Sequence, residues 1–210
     1  MKYFVKTPWW VKKFYPSYYW EIKTSEKILF LSFDDGPHPQ ATPFVLDQLR
    51  KYNARASFFC VGKNVDANPG IYQRILEEGH SVGNHTYHHV NGWKTADAEY
   101  LHDINRAAAK IDSTLFRPPY GRIRTFQAKN VAAAMKKPDA KIIMWDVLSG
   151  DFDESITGER CLQNVILNAK RGSIVVFHDS EKAFSRLQAA LPKMLEYFIS
   201  KGFRFETLPV

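Results

Sequence analysis

The stretch ILFLSFDDGPHP (residues 28–39) decides the fold, because an apolar run passes directly into two adjacent aspartates, a glycine and two prolines. An apolar run that ends in turn-forming residues is typical of a strand buried on both faces. Neighbouring carboxylates repel each other and are costly unless a cation lies close to them. The stretch therefore predicts a buried strand that delivers Asp34 and Asp35 to a site containing a metal ion, an arginine or both.

The rest of the chain alternates short apolar runs with helix-like segments. Typical strand candidates are ASFFCVG (residues 56–62), AKIIMWDV (residues 140–147) and SIVVFHD (residues 173–179), and typical helix candidates are TPFVLDQLRKY (residues 42–52) and AFSRLQAALPKMLEYFISKG (residues 183–202). This alternation favours parallel strands joined by helical crossovers. We therefore predict an α/β fold in which about seven parallel strands close into a barrel.

Three local features are also predicted. Thr42 is expected to cap the first long helix, and Pro192 is expected to interrupt the last one. The segment YYWEI (residues 18–22) is a candidate to form a hairpin with KILF (residues 27–30).

The composition restricts the function classes. The 210 residues carry a formal net charge of +7, which favours anionic partners such as acidic polymers, lipid headgroups or nucleic acid. The chain has no helix dense in lysine and arginine and no recognised nucleic-acid motif, so we do not expect nucleic acid as a partner. The alternative is a solvated basic surface without a partner. Cys60 and Cys161 are far apart and form neither a disulfide framework nor a metal motif.

The N-terminal twenty residues, MKYFVKTPWWVKKFYPSYYW, are aromatic and basic, with no acid before Glu21. We expect residues 1–26 to form an arm packed on a domain of residues 27–210. The alternative is a peripheral membrane contact through residues 1–20, because tryptophan, tyrosine and lysine together suit a membrane interface.

Neither a signal peptide nor a membrane span is predicted in this segment. A signal peptide needs an apolar core, and any such core in this segment is interrupted by Lys6, Pro8, Lys12 and Lys13. No apolar run is long enough to cross a bilayer. On this reading the protein is cytoplasmic, with membrane association as the alternative.

Polar residues capable of catalysis follow several of the predicted strands. They are Asp34, Asp35, His85, His89, Arg117, Asp151 and His178. In α/β barrels, the carboxyl ends of the strands converge on one rim, which carries the active site. We therefore expect these side chains to lie close together.

The segment NHTYHH (residues 84–89) supplies candidate metal ligands. His85 and His89 are four residues apart, so a helical turn or a turn-like loop would place both on one side while His88 points elsewhere. Together with the Asp35 carboxylate, two imidazoles leave an open position for water, as in a catalytic zinc site. The alternative is a polar loop rich in histidine.

Two further segments supply an arginine and a histidine. Arg117 in FRPPYG (residues 116–121) could pair with Asp34 and keep it ionised, or could lie on the surface of a proline turn. His178 ends a very apolar strand, so it is either a buried imidazole satisfied by its neighbours or a general acid.

With these motifs in their order, the chain from about Lys27 onward resembles the polysaccharide deacetylases, the family-four carbohydrate esterases related to the chitooligosaccharide deacetylases of nodulation. The four matching motifs are SFDDG (residues 32–36), HTYHH (residues 85–89), RPPYG (residues 117–121) and VVFHD (residues 175–179). The resemblance implies a distorted (β/α) barrel. It also implies a metal-dependent hydrolase that removes N-acetyl groups from an amino-sugar polymer or oligomer, peptidoglycan or chitin-like.

The resemblance implies a role for each residue of these motifs. Asp34 would be the general base, and Arg117 would be its partner. Asp35, His85 and His89 would be the ligands of a divalent metal, Zn²⁺ above all. The backbone N–H of Tyr120 would be an oxyanion donor, and His178 would be the general acid.

The fourth motif departs from the family pattern of two acids three apart followed by tryptophan. The segment VLSGDF (residues 147–152) keeps Asp151, but Leu148 stands where the first acid is expected and Phe152 replaces the tryptophan. In relatives that first acid helps to tune the acid histidine, so the resemblance puts the pKa of His178 in doubt. Candidates to replace the acid are Asp146 and Asp179.

Two rival functions stay open. One is a deformylase or amidase acting on another N-acyl group, such as a formamido sugar on a lipid carrier. The other is a catalytically silent carbohydrate-binding relative, which the altered fourth motif would permit.

Overall fold

A computed structural model describes residues 3–209 of the chain. Its helices are α1 (Trp9–Phe14), α2 (Ala41–Lys51), α3 (Gly62–Ala67), α4 (Pro69–Glu77), α5 (Asp97–Ala108), α6 (Thr125–Lys129), α7 (Val131–Met135), α8 (Gly158–Ile166) and α9 (Phe184–Ser200), with a 3₁₀ turn at Pro119–Gly121. Its strands are β1 (Ile28–Asp34), β2 (Ala56–Cys60), β3 (Ser81–Asn84), β4 (Leu115–Phe116), β5 (Lys141–Ile142), β6 (Val147–Leu148), β7 (Ile174–His178) and β8 (Arg204–Phe205).

Seven parallel strands form a curled half-barrel in the order β5-β4-β3-β2-β1-β7-β6, and β8 adds to the first residues of β1. Strand β1 lies inside this path: Leu31 is opposite Ala56 of β2 on one side and Val175 of β7 on the other. All seven residues of β1 are buried, because the strand has neighbours on both edges and packed layers on both faces. The predicted α/β class and the count of about seven parallel strands are confirmed.

The chain connection between β5 and β6 shows how strongly the sheet curls. These strands are at opposite ends of the path, and in a flat sheet six strand spacings would separate them by about 29 Å. Only five peptide steps lead from Ile142 to Val147, and they reach at most about 18 Å. The sheet must therefore bend until its two edges approach each other. The predicted single strand at residues 140–147 is split for this reason, with its two ends on opposite edges.

The N-terminal residues line both edges of the half-barrel. Lys6 lies antiparallel to Val147 of β6, and Tyr19 lies parallel to Ile143 just beyond β5. The predicted hairpin between residues 18–22 and β1 is wrong, because β1 already has partners on both edges. The described arm contacts the barrel through these bridges, while the division into an arm and a catalytic domain at residue 26 stays a prediction.

Two helix predictions are also wrong. Helix α2 begins at Ala41, and the Thr42 hydroxyl accepts the His38 N–H instead of capping the helix. Helix α9 runs through Pro192 without interruption. Its buried face, which includes Leu187 and Met194, packs in the main core on both sides of the proline. This packing outweighs the loss of one helical hydrogen bond.

The main core lies between the sheet and helices α2, α8 and α9, with the Phe33 ring stacked between those of Phe58 and Phe177. A second cluster includes Trp20, Tyr100 and Phe116 and joins the arm to helices α5 and α7. Within residues 3–209, no helix combines the length and apolar character needed to cross a bilayer.

Candidate active site

The rim at the carboxyl ends of the strands gathers all of the predicted site residues. They are Asp34, Asp35, His85, His89, Arg117, Tyr120, Asp151 and His178, linked by the contacts that follow. The expectation from the sequence that they lie close together is therefore confirmed, whereas their catalytic roles stay predictions.

The turn after β1 is held by an acid on the neighbouring strand. Asp35 has a φ of 81°, which turns the chain sharply at the strand end. The Gly36 N–H donates to Asp179 Oδ1 at 3.1 Å, and the Thr42 hydroxyl donates to the other oxygen. A Cβ on Gly36 would lie only 2.0 Å from Asp179 Oδ2, so the motif requires glycine here. Burial raises the pKa of Asp179 to about 8.

These contacts exclude Asp179 as the replacement for the missing acid of the fourth motif. Both of its oxygens are used to hold Gly36 and Thr42. The role of Asp179 is to fix the position of the two aspartates that end β1.

Asp35, His85 and His89 offer one ligand atom each, and these atoms all lie within 4.8 Å of one another. Asp35 Oδ1 is 3.0 Å from His89 Nε2 and 3.7 Å from His85 Nε2. His85 Nδ1 lies 2.7 Å from the Arg117 carbonyl oxygen, so this nitrogen carries the proton that it donates there. The lone pair of His85 is therefore on Nε2, which faces Asp35.

This donor set fits a divalent metal ion. Burial lowers the pKa of His85 to about 4, which keeps the imidazole neutral and able to bind a cation. Asp35 Oδ1 is buried and, although His89 Nε2 lies 3.0 Å away, it accepts no hydrogen bond of suitable geometry, a costly state that a cation would relieve. Two imidazoles and one carboxylate form a catalytic type of zinc site with an open position.

The histidine pair lies on a loop and not on a helix. Thr86 and His89 both have positive φ values, 62° and 59°, which bend the loop so that both rings face Asp35. As predicted, His88 points elsewhere: its Nδ1 lies 2.6 Å from Asp103 Oδ1. Asp103 also accepts the amides of Tyr87 and His88, so helix α5 holds this loop in place. The sequence carries no signal for this function of Asp103.

Arg117 is completely buried, and its side chain makes four hydrogen bonds. Its side chain donates to Asp34 Oδ1 at 2.6 Å, to Ser32 Oγ at 2.8 Å and to the carbonyls of Ile143 and Met144. Its guanidinium also covers the Phe59 ring at 3.9 Å, and its own carbonyl accepts from His85. Arg117 therefore fixes the positions of the Asp34 carboxyl group and of the His85 ring together, and the alternative of a surface arginine is wrong.

His178 is paired with Asp151. Asp151 Oδ1 lies 2.8 Å from His178 Nδ1, and Asp151 Oδ2 accepts the His178 backbone N–H at 2.8 Å. Burial alone would lower the pKa of His178, but the Asp151 carboxylate outweighs it and raises the pKa to about 9. His178 is thus protonated near neutral pH and presents its Nε2–H away from Asp151.

The missing first acid of the fourth motif does not leave His178 unpartnered. Leu148 lies in β6 and is buried in the strand layer, opposite Val176, where an acid would have to be desolvated. Asp146, the other proposed replacement, is bound by Lys6, Lys12 and Ser173 on the arm side of the sheet. The expectation that either residue tunes His178 is therefore not supported, since Asp151 does so.

Phe152 packs its ring against the edge of the His178 ring, with centroids 5.2 Å apart. On its other side, Phe152 contacts the ring of Tyr3 at 5.1 Å. The arm therefore supports the wall of the site that holds the acid histidine. Sequence reasoning did not identify Tyr3, because a lone tyrosine before a fold has no recognisable pattern.

Tyr120 forms the opposite side of the rim. Its ring is exposed and lies 4.7 Å from the His89 ring, centroid to centroid. Its φ of 59° turns the backbone, and the turn's hydrogen bonds are donated by Gly121 and Arg122 to the two preceding prolines. The Tyr120 N–H takes no part in these two turn hydrogen bonds, and its role as an oxyanion donor stays a prediction.

Comparisons with known proteins identify relatives of this chain. The family model for polysaccharide deacetylase matches residues 21–141. A peptidoglycan-N-acetylglucosamine deacetylase of Bacillus cereus is 36% identical over 195 residues, which cover 90% of each chain. A chitooligosaccharide deacetylase of Azorhizobium caulinodans is 31% identical over 206 residues, which cover 90% of this chain and 96% of the relative.

Solved structures show the same fold. A crystal structure of a peptidoglycan N-acetylglucosamine deacetylase, in complex with a naphthalenyl N-oxidanyl-benzamide, matches 97% of this chain and 95% of its own, with a TM-score of 0.85 and 33% identity. A family-four pseudoenzyme from Bacillus anthracis also shares the fold, with a TM-score of 0.75 and 23% identity. The match covers 90% of this chain and 66% of the pseudoenzyme chain. The fold alone therefore does not establish activity. From the matching model and the relatives above 30% identity, the chain belongs to the polysaccharide deacetylase family.

Proposed function

We propose that this protein is a metal-dependent N-deacetylase that hydrolyses the acetamide of an amino-sugar polymer, with peptidoglycan N-acetylglucosamine as the first candidate substrate. The observation that carries the proposal is that three groups of side chains lie on one rim. They are Asp34 with Arg117, Asp35 with two histidines, and Asp151 with His178. A silent binding protein would not need a carboxyl group held by an arginine, a metal ligand set and a charged histidine within one site.

The ligand set provides the electrophilic part of the chemistry. A divalent ion held by Asp35, His85 and His89, with Zn²⁺ proposed, would polarise the amide carbonyl and lower the pKa of water. Arg117 supports this set through its carbonyl, which holds His85 in the tautomer that a cation needs.

Asp34 is proposed as the general base. Its Oδ1 is held by Arg117, which leaves the other oxygen to accept a proton from the attacking water. The Tyr120 N–H would donate to the oxyanion that forms at the carbonyl, where one such donor contributes about 3 kcal/mol.

His178 is proposed as the general acid. An amine is a poor leaving group unless its nitrogen is protonated, so a base alone would not cleave the amide. The pKa of about 9 that Asp151 imposes keeps His178 charged at neutral pH, ready to give its proton to the departing nitrogen. Acetate and a free amino sugar are the products.

The test is to offer zinc-loaded protein a panel of N-acetyl and N-formyl sugars and to identify the released acid by NMR. The panel should include peptidoglycan fragments, chitin oligomers and a lipid-linked amino sugar. Release of acetate from a glycan supports the proposal. Release of formate alone would favour the deformylase alternative, and binding without release of any acid would favour the silent relative.

A further inference from the structure

The N-terminal arm carries an aromatic patch, defined here as Phe4, Trp9, Trp10, Phe14 and Tyr15. All five side chains are exposed; Trp9 is 74% exposed and Phe14 is 75% exposed. Large apolar groups that cluster on a surface in this way indicate an interaction site, whereas scattered ones do not. The deacetylase site described above uses none of the five.

The patch is centred on Trp10 and is held on the protein. The Trp10 ring contacts those of Phe4 and Phe14, each with centroids 6.3 Å apart and nearly perpendicular planes. From the same helix, α1, Lys12 reaches the buried Asp146 with its Nζ at 2.6 Å and also binds Glu21. These ion pairs fix the helix to the barrel while its aromatic side chains face outward.

The arm also presents positive charge beside the patch. Lys6 and Lys12 are used in ion pairs with Asp146, so the exposed charge on helix α1 is that of Lys13, which lies beside the aromatic residues. The chain as a whole has a net charge of +7. Exposed tryptophan, phenylalanine and tyrosine together with lysine are the composition that inserts into the headgroup region of a bilayer. We propose that the aromatic patch binds the interfacial region of a lipid bilayer that carries anionic headgroups.

Two other occupants fit less well. A glycan strand stacks on flat aromatic faces, whereas the perpendicular rings of Phe4, Trp10 and Phe14 expose edges as well as faces. A second copy of this chain would bring the same basic surface against itself, which like charge opposes. An anionic bilayer satisfies both the apolar rings and the positive charge.

The position of the patch also has a geometric consequence. Phe4 directly follows Tyr3, whose ring contacts Phe152 on the wall that holds His178. A protein bound through the patch would therefore hold its catalytic rim close to the bilayer surface. The proposal itself does not depend on the deacetylase activity, because it concerns binding alone.

The experiment is co-sedimentation of the full chain with vesicles of neutral phosphatidylcholine, alone or with about 30 mol% of an anionic phospholipid. We expect binding to the anionic vesicles that weakens with salt, and a blue shift of tryptophan fluorescence when they are added. The variant W9S/W10S/F14S should lower the partition constant by at least about tenfold, and K13E should lower it by a few-fold on the anionic vesicles alone.

A matched control, the triple variant L76S/F126S/Y197S, removes exposed apolar side chains elsewhere on the surface. Leu76 is 40% exposed, Phe126 is 58% exposed and Tyr197 is 38% exposed. It should bind as the unchanged protein does, and circular dichroism should show all variants folded. The proposal is overturned if the unchanged protein does not sediment with anionic vesicles, or if W9S/W10S/F14S binds them equally well. It is also overturned if that variant instead loses binding to insoluble glycan or loses a dimer seen by light scattering.

Discussion

Asp151 contacts His178 twice, through the imidazole Nδ1 and through the backbone N–H, each at 2.8 Å. This double contact sets both the charge and the orientation of the imidazole. It has a direct consequence for the dependence of turnover on pH.

The variant D151N should shift the alkaline limb of the pH–rate profile to lower pH. A general acid works only while protonated, so turnover is present below the pKa of His178, about 9, and is lost as the pH rises through it. Without the carboxylate, the pKa should fall toward about 6.5, and only about 3% of the imidazole would carry its proton at pH 8. We expect about 30-fold less turnover at pH 8, with a smaller loss at pH 6.

The measurement is kcat/KM from pH 5 to 10 with a soluble N-acetyl oligosaccharide. An unchanged alkaline limb in D151N would show that another group sets it. The variant L148D is a useful comparison, because a carboxylate buried in β6 has no partner there and should destabilise the protein without raising turnover.

Asp34 and Asp35 should respond differently to substitution although they are adjacent. D34N should lower turnover by about 10²- to 10⁴-fold while the bound metal stays near its original amount, because Asp34 faces Arg117 and is outside the ligand set. D35A or H85A should remove the metal and turnover together. Acid release and the metal content of dialysed protein are the two readouts, with D112N, an exposed acid, as the control. Full activity in D34N would exclude Asp34 as the base.

R117K should damage stability as well as turnover. Lysine cannot reproduce the fork that joins Asp34, Ser32 and two carbonyls, so it leaves buried partners unsatisfied. We expect a loss of about 3 kcal/mol in the free energy of unfolding, measured with urea, and about 10²-fold in turnover. The exposed Arg204 provides the control: R204K should unfold at the same urea concentration as the unchanged protein. Equal unfolding of R117K and R204K would contradict this account.

G36A and G70A form a matched pair of glycine substitutions. A Cβ at position 36 would meet Asp179 Oδ2 at 2.0 Å, so G36A should destabilise the protein by about 1–3 kcal/mol and displace the aspartates. Nothing lies within 4 Å of the Cβ position at Gly70, which is in helix α4, so G70A should stabilise the protein by about 0.5 kcal/mol. Thermal unfolding checks both, and equal melting temperatures would show that the turn after β1 can relax.

The sequence was sufficient to predict the α/β fold class, the convergence of the polar side chains on one rim and the grouping of Asp35 with His85 and His89. These follow from local patterns, since apolar runs with polar ends mark buried strands in any parallel sheet. The partner of His178 was misjudged for a physical reason. Spacing within VLSGDF does not show which acid faces the site, and only the strand register places Leu148 in the core and Asp151 at the rim.

Contacts between distant segments could not be predicted in the same way. Asp146 is bound by lysines about 140 residues before it, and Asp103 holds a loop from the neighbouring helix. A lone acid in a helix or at a strand end has the same local pattern whether it is solvated or buried. The predicted location of the protein and the boundary at residue 26 stay predictions.

The bridges from Lys6 to Val147 and from Tyr19 to Ile143 cover the strand edges at the two ends of the seven-strand path, where a foreign strand could otherwise pair. Unprotected strand borders invite self-association, and natural proteins hide them. Removal of the first twenty residues would expose both strand edges at once. We therefore expect the arm to protect this fold against self-association.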